Sequence, residues 1–304
     1  MSVTCLCQSV SVAVPTSMTG STTGPMDHAV YARWTMAYSA ALDDHLDCYF
    51  DTRREGGIVA HPLFPVCPEW PVIVSWGETS VRAGVQPDEA RRGVHATHDL
   101  TIHRLVRPGD RLTTTMTVTG VERRRPGAFA TMRLDTVDGE GRPVATTEQG
   151  SLYLGVPTAG EDRPAAPAAE PLVLPAPGDT ALDQWPVAVG AGAAHVYSEC
   201  ARIWNPIHTD AAVAAAAGLP GLILHGTATL AHAVSRVVRH EAGGDPGRVR
   251  RVSGRFGAMV LVPSTLLVRV LARVQGQGGE TAVQFDVRTG EGAAAVDCGV
   301  IVLD

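Results

Sequence analysis

The stretch that decides the fold is YSECARIWNPIHTDAAVAAAAGLPGLILHGTATL, residues 197–230. Asn205-Pro206-Ile207-His208 makes a poor helix and a poor strand, because the Pro206 ring fixes φ, removes an N–H and pushes Asn205 toward extended backbone. Such a loop is stiff and aims His208 in one direction. Behind it, Asp210 precedes an alanine-rich run, the place of a helix N-cap. Gly218 and Pro220 break that run, and Gly226 opens a second helix-compatible segment, TATLAHAVSRVVRH. A glycine N–H at a helix start, with no side chain in the way and the helix dipole behind it, suits a developing negative charge. His225, beside an apolar helix, reads either as a packed neighbour or as a substrate contact.

Outward from this stretch, residues 156–183 (VPTAGEDRPAAPAAEPLVLPAPGDTALD) are dense in proline and alanine, which favour extended backbone over packing. They mark a linker, 158–182, between a first half, 27–157, and a second, 183–304. In the first half a helix-compatible segment (DHAVYARWTMAYSAALDDHL) and a Pro-rich apolar one (HPLFPVCPEWPVIVSW) precede four strand-like stretches. Turn signals separate those strands at Pro108-Gly109-Asp110, Pro126-Gly127 and Asp138-Gly139. The second half repeats the order, with alanine-rich and LILHGTATLAHAVSRVVRH segments ahead of four more. LVRPGDRLTTTMTV and VLVPSTLLVRVLARV even hold corresponding places, each a proline-containing turn feeding a long strand. An internal duplication is the economical reading. Long strands after one central helix make an α+β pattern and exclude the βαβ alternation of a dinucleotide-binding fold.

The 304 residues are 45% hydrophobic and 18% charged, enough for two ordinary domains with sizeable cores. A formal charge of -6 offers no basic field for nucleic acid or an anionic membrane. Six cysteines lack CxxC or zinc-type spacing, as expected of reduced thiols in a cytoplasmic protein. No apolar run reaches the roughly 20 residues of a membrane span. The first 26 residues, rich in Ser, Thr, Gly and Pro and without a signal-peptide pattern, read as a disordered leader.

The quoted stretch resembles the MaoC-like (R)-specific enoyl-thioester hydratases and dehydratases, whose pattern is D-x-N-P-[IL]-H-x-D, an alanine-rich helix, then H-G at the start of a long helix. The match covers Asn205, Pro206, Ile207, His208, Asp210, Ala217, Gly218, His225 and Gly226. RLVRPGDRLT in the first half also looks like the N-terminal domain of two-domain acyl dehydratases. The resemblance implies a double hot dog, two antiparallel sheets each wrapped around a central helix and joined side by side, with the acyl chain entering between the halves. It further implies a lyase acting on an α,β-unsaturated or β-hydroxy acyl thioester carried on coenzyme A or a carrier-protein phosphopantetheine. In that scheme His208 is the acid/base, Asn205 positions it or the water, and the Gly226 N–H holds the thioester oxygen. No metal or redox cofactor is implied.

One position departs from the pattern. The family's acid sits five residues before the histidine, where this chain has Ile203 between Arg202 and Trp204. Isoleucine transfers no proton, so Ile203 and Trp204 read as pocket lining, and Glu199 and Asp210 are the nearest candidates for a substitute acid. Tyr197 and Cys200 are neighbours too, and Glu69 or His61 of the first half would reach a shared cavity only through the fold. If the backbone before Asn205 is extended, Glu199 and Ile203 share a face. Arg248, Arg250, Arg251 and Arg255 form the dense basic cluster of the second half; Arg251 and Arg255 are candidate ligands for the carrier's phosphates, and a solvated edge strand is the alternative. The missing acid points to a specialised variant. Alternatives are a cyclase that adds an internal nucleophile to an enoyl system in secondary metabolism, and a non-catalytic acyl-thioester-binding protein. Two fused hot dogs already supply each other's pairing, so a monomer or a homodimer is expected.

Overall fold

The computed structural model describes residues 13–304 apart from 168, 170–173 and 179. Along the first half run β1 (Met26–Ala29), α1 (Ala32–Ala41), α2 (Val66–Arg82), β2 (Gly93–Ile102), β3 (Arg111–Arg124), β4 (Gly127–Asp138) and β5 (Pro143–Leu154). The second half holds β6 (Asp183–Val189), α3 (Ala193–Ala201), α4 (Ala211–Ala216), α5 (Gly226–Glu241), β7 (Val249–Phe256), β8 (Ser264–Gln275), β9 (Thr281–Thr289) and β10 (Ala294–Leu303).

These strands form one ten-stranded antiparallel sheet in the order β1-β3-β4-β5-β2-β7-β10-β9-β8-β6. Read from the centre outward, the two halves have the same connectivity. Their junction is the β2–β7 pair, where Asp99 stands opposite Ser253. The duplicated hot dog is therefore a pair of five-stranded sheets fused edge to edge, each with its own helix. Period-two alternation supplies the inner faces: along β3, Leu112, Thr114, Met116 and Val118 are buried while the threonines between them are not. Helix α5 is covered on nearly all sides, and Leu230, Val234, Val237 and Val238 are fully buried.

The Pro-rich segment, and not the helix-compatible one before it, supplies the first half's central helix. Pro68 sits in the first turn of α2, where a missing N–H costs nothing, and Pro71 removes a single interior bond. Burial of Val72 and Trp76 outweighs that loss. The expected disordered leader is also corrected at its C-terminal end: Val14–Pro15 pairs with Thr158–Ala159, and Val14 and Met18 are buried in the first half's core. Those apolar residues close the end of the sheet despite their Ser/Thr/Gly-rich setting. Residues 1–12 lie outside the described ones. Past Ala159, Arg163 exchanges two backbone hydrogen bonds with Val121, so the linker starts packed against β3.

Candidate active site

The loop before His208 is built by two local devices. Helix α3 ends at Arg202 in left-handed backbone (φ 60°), which turns Ile203 inward. Asn205 then caps a single 3-10 turn, Pro206–His208, its side-chain oxygen accepting from the Ile207 N–H. His208 is 9% exposed, and its Nδ1 lies 2.9 Å from the Ile223 carbonyl oxygen. A carbonyl only accepts, so Nδ1 carries the proton and Nε2 keeps its lone pair. Burial lowers the His208 pKa, only partly offset by that carbonyl, and the ring stays neutral.

His208 stacks on His225, centroids 3.6 Å apart. The His225 Nε2–H points at the Ile203 carbonyl (3.3 Å) and Ser198 Oγ (3.2 Å), and burial holds this imidazole down to about 3. Its ring is thus a neutral floor under His208. His225 is also the N-cap of α5, where the opening N–H groups have no partner one turn back. Gly226 begins that helix, and a Cβ there would stand 3.2 Å from the Phe256 ring. The absent side chain lets the helix end and the Phe256 ring sit this close without a shift. Asn205, His208, His225 and Gly226 are thus brought into one neighbourhood.

The other expected site residues part company. Ile203 is 5% exposed and packs in the core. Glu199 belongs to a helix, so it does not share an extended face with Ile203; it lines an outer cleft of about 410 Å³ with Tyr31, Arg33, Trp34, Ala37, Cys200 and Arg202. Asp210 caps α4, accepting from the Ala212 and Val213 N–H groups. Trp204 is exposed, and Arg202 instead lies 4.1 Å over the Trp34 ring. Arg251 makes a two-pronged pair with Asp99 across the β2–β7 junction, and Arg255 pairs with Asp297. Arg248 and Arg250 bind the Asp304 carbonyl and carboxylate. The dense basic cluster is therefore engaged within the protein, three of its four arginines by carboxylates and Arg248 by a carbonyl. A larger open groove, about 660 Å³ between β6, β8 and β9, is lined by none of Asn205, His208, His225 and Gly226. Among the described residues no group of three His, Cys, Asp or Glu side chains converges as a metal site requires.

A relationship missed in the sequence emerges from the duplication. Tyr38-Ser39 and Tyr197-Ser198 each lead, five residues after the tyrosine, to a positive-φ residue, Asp43 or Arg202. Each then leads to a short helical turn capped at Leu46 or Asn205. In this register Asp44 stands at the place of Ile203, and Tyr49 at that of His208. His61 contacts Tyr38 and Tyr49 much as His225 contacts Tyr197 and His208. The first half thus has a carboxylate, Asp44, at the place that Ile203 takes in the second. Asp44, though, is buried against Arg239 at the far end of a six-ring column from His208, so it is no partner to that histidine. The recurring Tyr-Ser pair was the available signal.

Comparison with known proteins agrees with this architecture. Residues 177–293 match the MaoC like domain, and residues 17–147 the FAS1-like, dehydratase domain region. A peroxisomal enoyl-CoA hydratase 2 of Arabidopsis thaliana is 39% identical over 67 residues, 22% of this chain and 22% of that protein. The match thus spans about a fifth of that relative's length. In fold, the chain resembles a MaoC-like dehydratase from Phytophthora capsici at TM-score 0.80 and 22% identity, over 94% of this chain and 96% of that one. A Mycobacterium tuberculosis protein described as a double hot dog superposes at TM-score 0.59 with 16% identity, over 94% of this chain and 96% of that one. The chain thus carries a MaoC like domain in its second half and a FAS1-like dehydratase region in its first, on a double hot-dog fold.

Proposed function

We propose that the protein adds water to, or removes it from, an acyl thioester, with His208 as the single acid/base. In the dehydrating direction, His208 Nε2 takes the α-proton of a β-hydroxyacyl thioester. The C–H electrons pass into the enolate, whose oxygen is held by the Gly226 N–H and the positive end of α5. Collapse of the enolate forms the α,β double bond and breaks the β-carbon to oxygen bond. The proton on Nε2 leaves with the hydroxyl as water, and hydration is the reverse. One group handles the proton twice, so the scheme needs no carboxylate at Ile203.

The observation that carries this reading is the Nδ1 contact with the Ile223 carbonyl, which leaves a neutral imidazole with its free lone pair on Nε2. Thioesters of coenzyme A or phosphopantetheine are the substrates, and the reading needs no metal or redox group. The protein would work in the cytoplasm as a monomer or homodimer. Ile203 favours a specialised substrate, including one whose own hydroxyl adds to the enoyl system, because an internal nucleophile needs no activated water. The test is to follow enoyl absorbance with 2-enoyl thioesters of graded chain length for the protein and for His208→Ala. Loss of turnover in the variant, with substrate affinity kept, is the expected result. Equal rates would remove His208 from the chemistry, and tight binding without turnover would make the protein an acyl-thioester binder.

A further inference from the structure

On β2, His98, Leu100 and Ile102 are buried while the residues between them are less so, which puts His98 on the helix-facing side of the first half's sheet. His98 is 2% exposed, yet neither ring nitrogen has a hydrogen-bond partner. A buried polar group left unpaired costs about 1–3 kcal/mol, so an imidazole with two such nitrogens is a poor choice for structure alone.

Its surroundings are polar too. Across the ladder His98 faces Gln149 on β5, Leu100 faces Thr147, and His95 faces Ser151. Thr147 donates to buried Glu69 of α2. At matching depth the second half presents Val252, Val283, Phe285, Val296 and Ile301. The contrast lies between the two copies of one fold, so the hot-dog architecture does not impose it.

This polar set adjoins the candidate active site. Gly226 abuts the Phe256 ring, Phe256 meets the edge of His95 (centroids 4.7 Å), and His95 lies 5.5 Å from His98. Opposite His98 on β7 stands Gly254, whose missing Cβ leaves its place to Val296 and Leu230. Burial holds His98 down to about 4, so it meets a ligand as a neutral donor and acceptor and not as a cation. A phosphate is thereby a poor fit, and a hydroxyl or ketone a good one.

We propose that His98, with Gln149 and Ser151 beside it, recognises an oxygen function on the acyl chain, so that the substrates are thioesters of hydroxylated or keto-bearing acids and not of plain fatty acids. This rests on the reading of Gly226 as the thioester-oxygen site, since the acyl chain must run from there past Phe256. His98 is a specificity residue in this scheme and takes no part in proton transfer.

The test compares kcat/KM for two 2-enoyl thioesters of equal length, one with an alkyl tail and one with a hydroxyl or ketone on the tail. Wild type is expected to favour the oxygenated substrate by tenfold or more. His98→Leu is expected to cancel that preference by slowing the oxygenated substrate alone, and to raise Tm by removing an unpaired polar group. His98→Gln, which keeps a donor and an acceptor, restores part of the preference and covers the case in which His98→Leu fails to fold. A preference absent in wild type, or unchanged in both variants, overturns the proposal while leaving the lyase reading intact. If neither thioester is turned over, calorimetric binding of the same pair decides. A retained preference then supports the specificity role although the lyase reading has failed, and equal affinities overturn it.

Discussion

The hydroxyls of Tyr38 and Tyr197 lie 3.3 Å apart in the buried interface between the two halves. Each occupies the same place in its own copy of the fold, so a residue duplicated in sequence meets its counterpart in space. Tyr197 donates onward to Thr227 Oγ1 in the first turn of α5, so Tyr38 is the donor between the two tyrosines and shares its one proton with the Leu63 carbonyl, 3.4 Å away. The contact ties α1 of the first half to α3 of the second.

That tie is measurable. Tyr38→Phe and Tyr197→Phe are each expected to cost about 1 kcal/mol, and the double variant less than the sum by about 0.5–1 kcal/mol. Urea unfolding of the four proteins reads the coupling. Strict additivity would mean that the two hydroxyls do not interact in solution.

Stability should depend on pH through buried neutral histidines. Burial holds His61 near about 3, His98 near about 4 and His225 near about 3, against an ordinary 6.5. The unfolded chain takes up these protons below about pH 6.5 and the native protein does not, so stability is full above that pH and falls toward about pH 3. Glu69, raised to about 7 by burial, acts oppositely: between about pH 4.5 and 7 the unfolded chain has released a proton that the native protein keeps, and stability declines as pH rises. Three histidines outweigh one glutamate, so unfolding at pH 5 should need less urea than at pH 7. Glu69→Gln should stabilise at pH 7 more than at pH 5. A midpoint unchanged between the two pH values would contradict the neutral state of the histidines.

Ile203→Asp restores the carboxylate found at Asp44 in the first half. The side chain is 5% exposed, with no cation in the loop aimed at it, so a cost of about 2–4 kcal/mol is expected. Hydration of a short 2-enoyl thioester should nevertheless speed up, because a carboxylate would join the loop that carries His208. Denaturant midpoints and enoyl absorbance separate the two effects. A slower or unchanged rate would show that the pocket no longer couples position 203 to His208.

The two arginines once attractive as phosphate ligands should differ in stability and agree in kinetics. Arg251 and Asp99 are 14% and 27% exposed at a two-pronged junction between the halves, whereas Arg255 and Asp297 are 60% and 40% exposed. Arg251→Ala should cost about 1–3 kcal/mol and Arg255→Ala less than about 1. Neither should change KM for a coenzyme A thioester. A raised KM in Arg255→Ala with an unchanged Tm would return that residue to substrate binding.

What could be read before folding was whatever short-range chemistry dictates. Period-two alternation marked eight of the ten strands of the sheet. The Asn205-Pro206 turn and the Asp210 cap follow from φ restriction and local hydrogen bonding, and both sit where the sequence puts them. Burial against partners distant in sequence decided the rest. It made a helix of the proline-containing segment at α2, and it placed Glu199 in an outer cleft and Asp210 at a helix cap, apart from buried Ile203. It paired Arg251 with Asp99 across the junction and left both His98 nitrogens without a hydrogen-bond partner. By itself the sequence determined the strands, the duplication and the hydratase-like loop. Only the tertiary structure decided which charges neutralise one another and which polar atoms stay unpaired, because both depend on neighbours more than a hundred residues away along the chain.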